Sequence, residues 1–437
     1  MSFVCTENEL LTDLKGALYN PIPIDDRLWL PNNIEKMSKL FFDNIESMEF
    51  PEIAYKVAKN LIKNDIPDTI LKNIINECFN FEIPLHNLEN NLHIFELFHG
   101  PTLTFKDIGA RFMSRIIQYF LKDNEIIHII VATSGDTGSA VADAFFNIPN
   151  IMVHILYPKN LISEIQENQM TGYGNNVLAY EVDGNFDDCQ SLIKKTLKDK
   201  SLCNKLNFFP ANSINIARLI PQSLYYFWIY AQLKRINRIE NIYITVPSGN
   251  LGNITGGILA YKMGLPVKKF IAAINNNKAF YEYLYDNNIK QKKAIPSVSN
   301  AMDISIPNNL IRLKSIFENN IEMQKVIDSI SISDNETINT IKHVLEKYNY
   351  ILDPHTAVGY AAYHKILKKN IHLMDNNING VIISTAHPAK FPEIMKSLNI
   401  KYKLPKQIEN LNYNGHKISI CNNFDEWKNI LQKIDNL

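Results

Sequence analysis

The stretch Leu97 to Arg111 reads Leu-Phe-His-Gly-Pro-Thr-Leu-Thr-Phe-Lys-Asp-Ile-Gly-Ala-Arg, with one lysine near its middle. The turn formers Gly100 and Pro101 precede Lys106, and an apolar helix-period run follows it: Ile108, Phe112, Ile116, Tyr119 and Phe120. The pattern predicts that Lys106 stands where a loop becomes a helix, with its stem among aromatic neighbours. An apolar setting disfavours the ammonium form and leaves the amine available as a nucleophile. Taken alone, the stretch reads more simply as a surface lysine opening an amphipathic helix, so the decision falls to other residues.

Three loops follow short, strongly apolar runs that read as strands, and ligands in open parallel sheets bind beyond the carboxyl ends of strands. The loop Pro247-Ser-Gly-Asn-Leu-Gly-Asn253 lies between a strand and a helix. Its glycines permit close backbone approach, and free N–H groups at the helix start make an anion site suited to phosphate. It is neither Gly-x-Gly-x-x-Gly nor a Walker A sequence, which argues against NAD and ATP. The alternative is a tight turn that needs glycine. The loop Ser134-Gly135-Asp136-Thr137-Gly138 has the same logic and could hold a carboxylate through backbone donors. Its Asp136 would oppose an anion if turned inward, and the alternative is a helix cap with Ser134 or Asp136 as the capping residue. The third loop offers Thr385, whose hydroxyl can bond a neutral ring nitrogen or, in the plainer reading, its own backbone. His387 and Lys390 lie near it and receive no role. A fourth segment, Asn212-Ser-Ile-Asn-Ile-Ala-Arg218, brings amide, hydroxyl and guanidinium donors to the start of a helix, and Arg218 suits bidentate phosphate contact. A nucleophilic lysine, a phosphate-binding glycine loop and a hydroxyl for a ring nitrogen together describe a pyridoxal phosphate site.

These residues need a frame. Runs at 126–132, 151–156, 177–182, 242–246, 270–274 and 381–384 read as buried strands, and helical stretches alternate with most of them. The alternation implies parallel sheets covered by helices, an α/β fold. Residues 34–81 are mainly helical and broken at Pro51 and Pro67, which gives a small, mainly helical N-terminal domain ending near Pro84 to Asn91. Residues 276–350 are irregular and rich in Asn, and residues 401–437 form a lysine-rich tail with one strand-like piece, Lys417 to Ile420. Only 16 glycines occur in 437 residues. That is well below the average usage of about 7%, so clustered glycines mark positions where the backbone needs them.

Composition excludes several classes. Lys+Arg and Asp+Glu balance at 45 each, and no block of like charge suggests nucleic acid or an anionic membrane. The five cysteines are scattered and form no Cys-x-x-Cys pair, which argues against a disulfide framework or a metal site and for small buried residues. No signal peptide is apparent, and the apolar run Leu224 to Leu233 is too short to span a bilayer. The expected location is cytoplasmic.

The segments resemble the threonine synthase family, of the kind with an extra N-terminal domain, within the tryptophan-synthase-β-like pyridoxal phosphate enzymes of fold type II. The matching pieces are 98–107, Ala132-Thr-Ser-Gly-Asp-Thr-Gly-Ser-Ala140, 184–190, 213–218, 247–253, Ala301-Met-Asp-Ile-Ser-Ile-Pro-Asn308, Asp353-Pro-His-Thr-Ala-Val-Gly359 and Ser384-Thr-Ala-His-Pro-Ala-Lys-Phe391. They come in the family's order and cover most of the chain, and Thr104, Leu251 and the turn around Ile24 to Trp29 depart from its pattern. The resemblance implies two parallel-sheet α/β domains behind an N-terminal domain at 1–88. The catalytic region is then 89–437, with a small subdomain at about 125–210. It implies Lys106 as the Schiff-base lysine and later the mobile base. Gly249, Asn250, Leu251 and Asn253 then bind the cofactor, chiefly its phosphate, and Thr385 meets the pyridine nitrogen. Ser134, Gly135, Asp136 and Thr137 take the substrate carboxylate, and Asn212, Ser213 and Arg218 the phosphate of O-phospho-L-homoserine. The implied activity is conversion of that substrate and water to L-threonine and phosphate. The alternatives are a related phospho-lyase or a catalytically silent relative. By family analogy a monomer is expected, with a homodimer as the alternative.

Overall fold

The computed structural model describes residues 1–290, 293–369, 378–412 and 415–434. Small parts of the Asn-rich stretch and of the lysine-rich tail therefore lie outside the described residues. The chain divides into two compact units, Met1–Gly100 with Ser213–Pro388, and Pro101–Asn212 with Ala389–Leu437.

The first unit is built on a six-stranded sheet. Its order is Ile327–Ser331, Lys269–Ile274, Ile242–Pro247, Asn379–Ser384, Leu92–Glu96, Leu85–Glu89. The first five strands run parallel, and Leu85–Glu89 returns antiparallel as an edge hairpin. Ile242–Pro247 and Asn379–Ser384 are buried at every position. Strands covered on both faces have no solvent side, so they read as continuous apolar runs rather than alternations. The second unit carries a five-stranded, wholly parallel sheet in the order Lys417–Cys421, Val177–Asp183, Ile151–Pro158, Ile127–Ala132, Asn207–Pro210. Two mainly parallel sheets match the fold expected from sequence.

Several details differ from that expectation. Residues 1–35 include a three-stranded antiparallel sheet of Leu11–Thr12, Phe3–Cys5 and Trp29–Pro31. Strands of two or three residues leave no visible period-2 pattern. Where the sequence suggested the end of the N-terminal region, the chain already forms the strand Leu85–Glu89. The strand-like piece of the tail, by contrast, is a strand as expected: Lys417–Cys421 pairs in register with Val177–Asp183. Trp427 of the following helix is wholly buried against Tyr180, with ring centroids 4.8 Å apart. Cys203 and Cys421 are exposed rather than buried.

The apolar run at 224–233 lies within the helix Ile216–Arg235, whose buried aromatics receive the N-terminal region. Phe227 meets Phe41 at 5.8 Å and Trp228 meets Phe50 at 6.0 Å. No helix among the described residues is long and apolar enough to cross a membrane.

Candidate active site

In the first unit the candidate residues stand at the carboxyl ends of neighbouring strands. Ile242–Pro247 and Asn379–Ser384 pair in parallel, with Thr245 opposite Ile382. The strands end at Pro247 and Ser384, so the loops that begin at Ser248 and Thr385 leave neighbouring strands at the same end of the sheet. Leu97 donates its N–H to the Ser384 carbonyl at 3.0 Å, so the segment 98–100 begins beside Thr385. Thr385 itself is buried.

The loop after Ile242–Pro247 leads into the helix Gly252–Lys262. A side chain at Gly249 would lie 2.7 Å from the Met302 Cα, so only glycine fits there. Leu251 occupies the N-cap in left-handed conformation, φ 60°, and its side chain accepts no hydrogen bond. The first-turn N–H groups therefore keep their partial positive charge. Asn253, in that turn, is buried, and its Oδ1 accepts bonds from the Tyr225 and Tyr226 hydroxyls, each at 2.6 Å. Its buried Nδ2 has no hydrogen-bond partner among the described residues. Leaving such a donor unmet costs about 1–3 kcal/mol. An uncapped helix start, an orphaned amide donor and a glycine with no room above it fit a phosphate-bearing cofactor. The side chain of Asn250 is largely committed within the unit, accepting from the Asn308 N–H at 2.6 Å and donating to Ser213 Oγ at 3.1 Å. Its contribution to a ligand then falls to its backbone.

The Met302 wall is itself held in place. His355 Nδ1 lies 2.9 Å from the Asp353 carboxylate, and its Nε2 accepts the Ala301 N–H at 3.3 Å. Thr356 bonds both Asp353 and, at 2.8 Å, the Ser384 hydroxyl next to Thr385. Asp353, His355 and Thr356 were visible in the sequence only as a matching segment without a role. Burial lowers His387 to about 4, and the nearby His99 adds to this, so its ring is neutral at neutral pH.

In the second unit Lys106 is the first residue of the helix Lys106–Phe120, as its sequence predicts, and it is half-buried. Ile108, Phe112 and Ile116 are wholly buried, whereas Tyr119 is exposed. The turn before Lys106 is closed by Asp107, whose carboxylate accepts both the hydroxyl and, at 2.9 Å, the N–H of Thr102. Burial pushes Asp107 up to about 7, against the Thr102 bonds that favour its ionised form.

The loop before the helix Asp136–Phe145 is capped by neither Ser134 nor Asp136. Gly135 stands at the N-cap with φ 125°, a conformation open to glycine. Thr133 Oγ1 accepts the N–H of Gly135 at 3.0 Å and of Gly138 at 2.9 Å. Those two donors of the proposed carboxylate loop are therefore turned onto Thr133. Asp136 is buried, and its carboxylate is bound by Gln166 Nε2 and by Lys390 Nζ, each at 3.0 Å. Lys390 is wholly buried and also donates to the Thr102 carbonyl at 2.9 Å. One ammonium thus ties the turn before Lys106 to the loop at 134–138 and neutralises the charge that would oppose a substrate anion. Nothing in the sequence around Lys390 marks it for this role. The segment 212–218 straddles the division of the chain. Asn212 Nδ2 donates to the Ala132 carbonyl at 3.0 Å within the second unit. Ser213 and the buried Arg218 belong to the first. Among the described residues no group of three His, Cys, Asp or Glu side chains could hold a metal ion.

A parallel sheet with a lysine-headed helix in one unit, and a phosphate-type glycine loop in the other, define the class of pyridoxal-phosphate-dependent enzymes. The family model described as pyridoxal-phosphate dependent enzyme matches residues 82–381. The models for the threonine synthase N terminus and C-terminal region match residues 6–79 and 356–432. The chain is 39% identical over 385 residues, 88% of each chain, to threonine synthase of Buchnera aphidicola subsp. Acyrthosiphon pisum. It superposes on the crystal structure of Escherichia coli threonine synthase with a TM-score of 0.91 at 34% identity, covering 99% of this chain and 100% of the other. The pyridoxal phosphate-bound threonine synthase of Brucella melitensis gives a TM-score of 0.90 at 29% identity, covering 100% of this chain and 99% of the other. The chain belongs to the threonine synthase family.

Proposed function

We propose that the chain converts O-phospho-L-homoserine and water to L-threonine and phosphate, by γ-elimination followed by hydration at the β-carbon, as the last step of threonine biosynthesis. The observation that carries this reading is the match of both 6–79 and 356–432 to models particular to threonine synthases. In this reading residues 1–88 are the N-terminal domain, 89–437 the catalytic region, and the protein works in the cytoplasm.

Bound pyridoxal phosphate supplies an electron sink for negative charge developing at the substrate α-carbon. Lys106 would hold the cofactor through Nζ, and the same amine, when free, would take the proton from the substrate α-carbon. The helix start at Gly252 to Ile254, with Asn253 Nδ2, holds the cofactor phosphate together with the backbone of Gly249, Asn250 and Leu251. The Thr385 hydroxyl would bond the ring nitrogen. The Ser134–Thr137 loop receives the substrate carboxylate, with Asp136 silenced by Lys390. Ser213, Arg218 and Asn212 receive the substrate phosphate, where donors stabilise charge growing on the leaving group.

The test is incubation of the purified protein with O-phospho-L-homoserine, with visible absorbance recorded alongside product analysis. Threonine and phosphate are expected, while 2-oxobutyrate and ammonia would indicate a related phospho-lyase instead. Cofactor binding without turnover would indicate a silent relative. Lys106→Ala should lose both the visible band and turnover, and normal turnover in that variant would sink the assignment.

A further inference from the structure

One buried charge in the first unit is not used by this reading. Arg312 is wholly buried, and among the described residues its hydrogen bonds all go to neutral oxygens. Nε donates to the Trp29 carbonyl at 2.9 Å and Nη2 to the Ile214 carbonyl at 2.7 Å. Nη1 donates to the Ser213 carbonyl at 2.8 Å and to Asn309 Oδ1 at 2.6 Å. Among the described residues no carboxylate pairs with it, although a buried charge is costly unless it is paired. Burial lowers the guanidinium to about 9, which leaves it charged at neutral pH.

Its partners are the residues that shape the glycine loop. Asn309 Nδ2 donates to Ser213 Oγ at 3.0 Å and to the Asn250 carbonyl at 2.9 Å. Asn250 Nδ2 donates to the same Ser213 Oγ at 3.1 Å. A hydroxyl oxygen has two acceptor sites and one hydrogen. With both sites of Ser213 Oγ taken by amide N–H groups, the hydroxyl is left to act as a donor. A Cβ at Gly252 would lie 3.3 Å from the Ser213 Cβ, so this donor stands against the uncapped start of the helix Gly252–Lys262.

Resting on the functional reading above, we propose that Arg312 is the fixed positive charge of the phosphate site. It is a positioning residue that orients Ser213 and the glycine loop through Asn309, and it balances a phosphomonoester dianion without touching it. The same dianion could be that of the cofactor or of the substrate. The Trp29 carbonyl brings the N-terminal strand Trp29–Pro31 into the arrangement as one of the four acceptors that hold the guanidinium.

The experiment compares Arg312→Met, which removes the charge, with Arg312→Lys, which keeps it. Apoenzyme is titrated with pyridoxal phosphate and with pyridoxal, which lacks the phosphate, by absorbance. With cofactor saturating, KM for O-phospho-L-homoserine and inhibition by inorganic phosphate are also measured. The Met variant should lose on the order of tenfold in affinity for the phosphorylated ligand, keep its affinity for pyridoxal, and be largely rescued by Lys. A loss confined to the ratio of the two cofactor forms assigns the charge to the cofactor phosphate. A loss in KM and phosphate inhibition assigns it to the substrate phosphate. Equal losses for pyridoxal phosphate and pyridoxal would overturn the proposal, as would phosphate affinities within about twofold of the parent. If neither variant folds, Asn309→Asp, which sets a carboxylate against Nη1, is put through the same titrations and judged by the same outcomes. A parent protein without a visible band or turnover would defeat the functional reading itself, before any variant is made.

Discussion

Lys390 and Asp136 form a pair in which neither member reaches solvent, with side-chain exposures of 0% and 3%. Removing one partner of such a pair strands the other's charge. Lys390→Met should therefore destabilise the protein by about 3–5 kcal/mol in denaturant titrations and raise KM more than it lowers kcat. Adding Asp136→Asn should recover much of the stability, and the coupling is read from the double-mutant cycle. If the two substitutions simply add, the pair is not the source of the effect. At this scale the sequence was legible where chemistry is local. Lys106, the glycine loop and Thr385 each follow a turn or strand that their neighbours announce. The capping role of Thr133, the pairing of Lys390 and the latch of Asn309 and Arg312 were not legible. Each depends on a partner made available only by folding, and a lysine after Pro388 looks like any surface lysine in the chain.

At the scale of elements, buried strands of five or more apolar residues, such as Ile127–Ala132, declared themselves. Leu92–Glu96, Asn207–Pro210 and Ile327–Ser331 did not: all are short, and the first and last are interrupted by polar residues. His93 illustrates the reason: it is buried within its strand although its type suggests a surface. The five-stranded sheet of the second unit also buries histidine. His128 Nδ1 and His154 Nε2 lie 3.0 Å apart, and the other His154 nitrogen meets the Tyr180 hydroxyl at 3.2 Å. Burial, with His128 adding to it, drives His154 down to about 3. The folded form therefore keeps His154 neutral while the unfolded chain protonates near its ordinary 6.5. Its contribution is present above that value and is lost as pH falls toward about 3. His154→Phe should reduce proton uptake on acid unfolding by about one, measured by comparing midpoints in buffers across that range. An unchanged acid dependence would place the sensitivity elsewhere.

At the scale of the molecule, the N-terminal region is joined to the rest of the first unit by aromatic packing. Trp228 donates Nε1–H to the Ile83 carbonyl at 2.8 Å, and the Arg235 guanidinium lies 4.8 Å above its ring. Trp228→Ala should cost about 3–5 kcal/mol and loosen residues 1–80, seen as faster hydrogen exchange in the helix Phe50–Ile62. Protection equal to the parent's would mean the region is held by other contacts. The chain passes between units after Gly100, after Asn212 and after Pro388, so each is assembled from separated lengths of sequence. This bears on the order in which the protein is made. Asp136 leaves the ribosome early and Lys390 late, and the edge strand Lys417–Cys421 later still. Throughout that interval the nascent loop at 134–138 carries an uncompensated carboxylate. The second unit cannot close its polar core until Lys390 has been made. Prematurely terminated chains ending before Lys390 should thus be recognised by proteases as unfolded in this region, however complete their first unit.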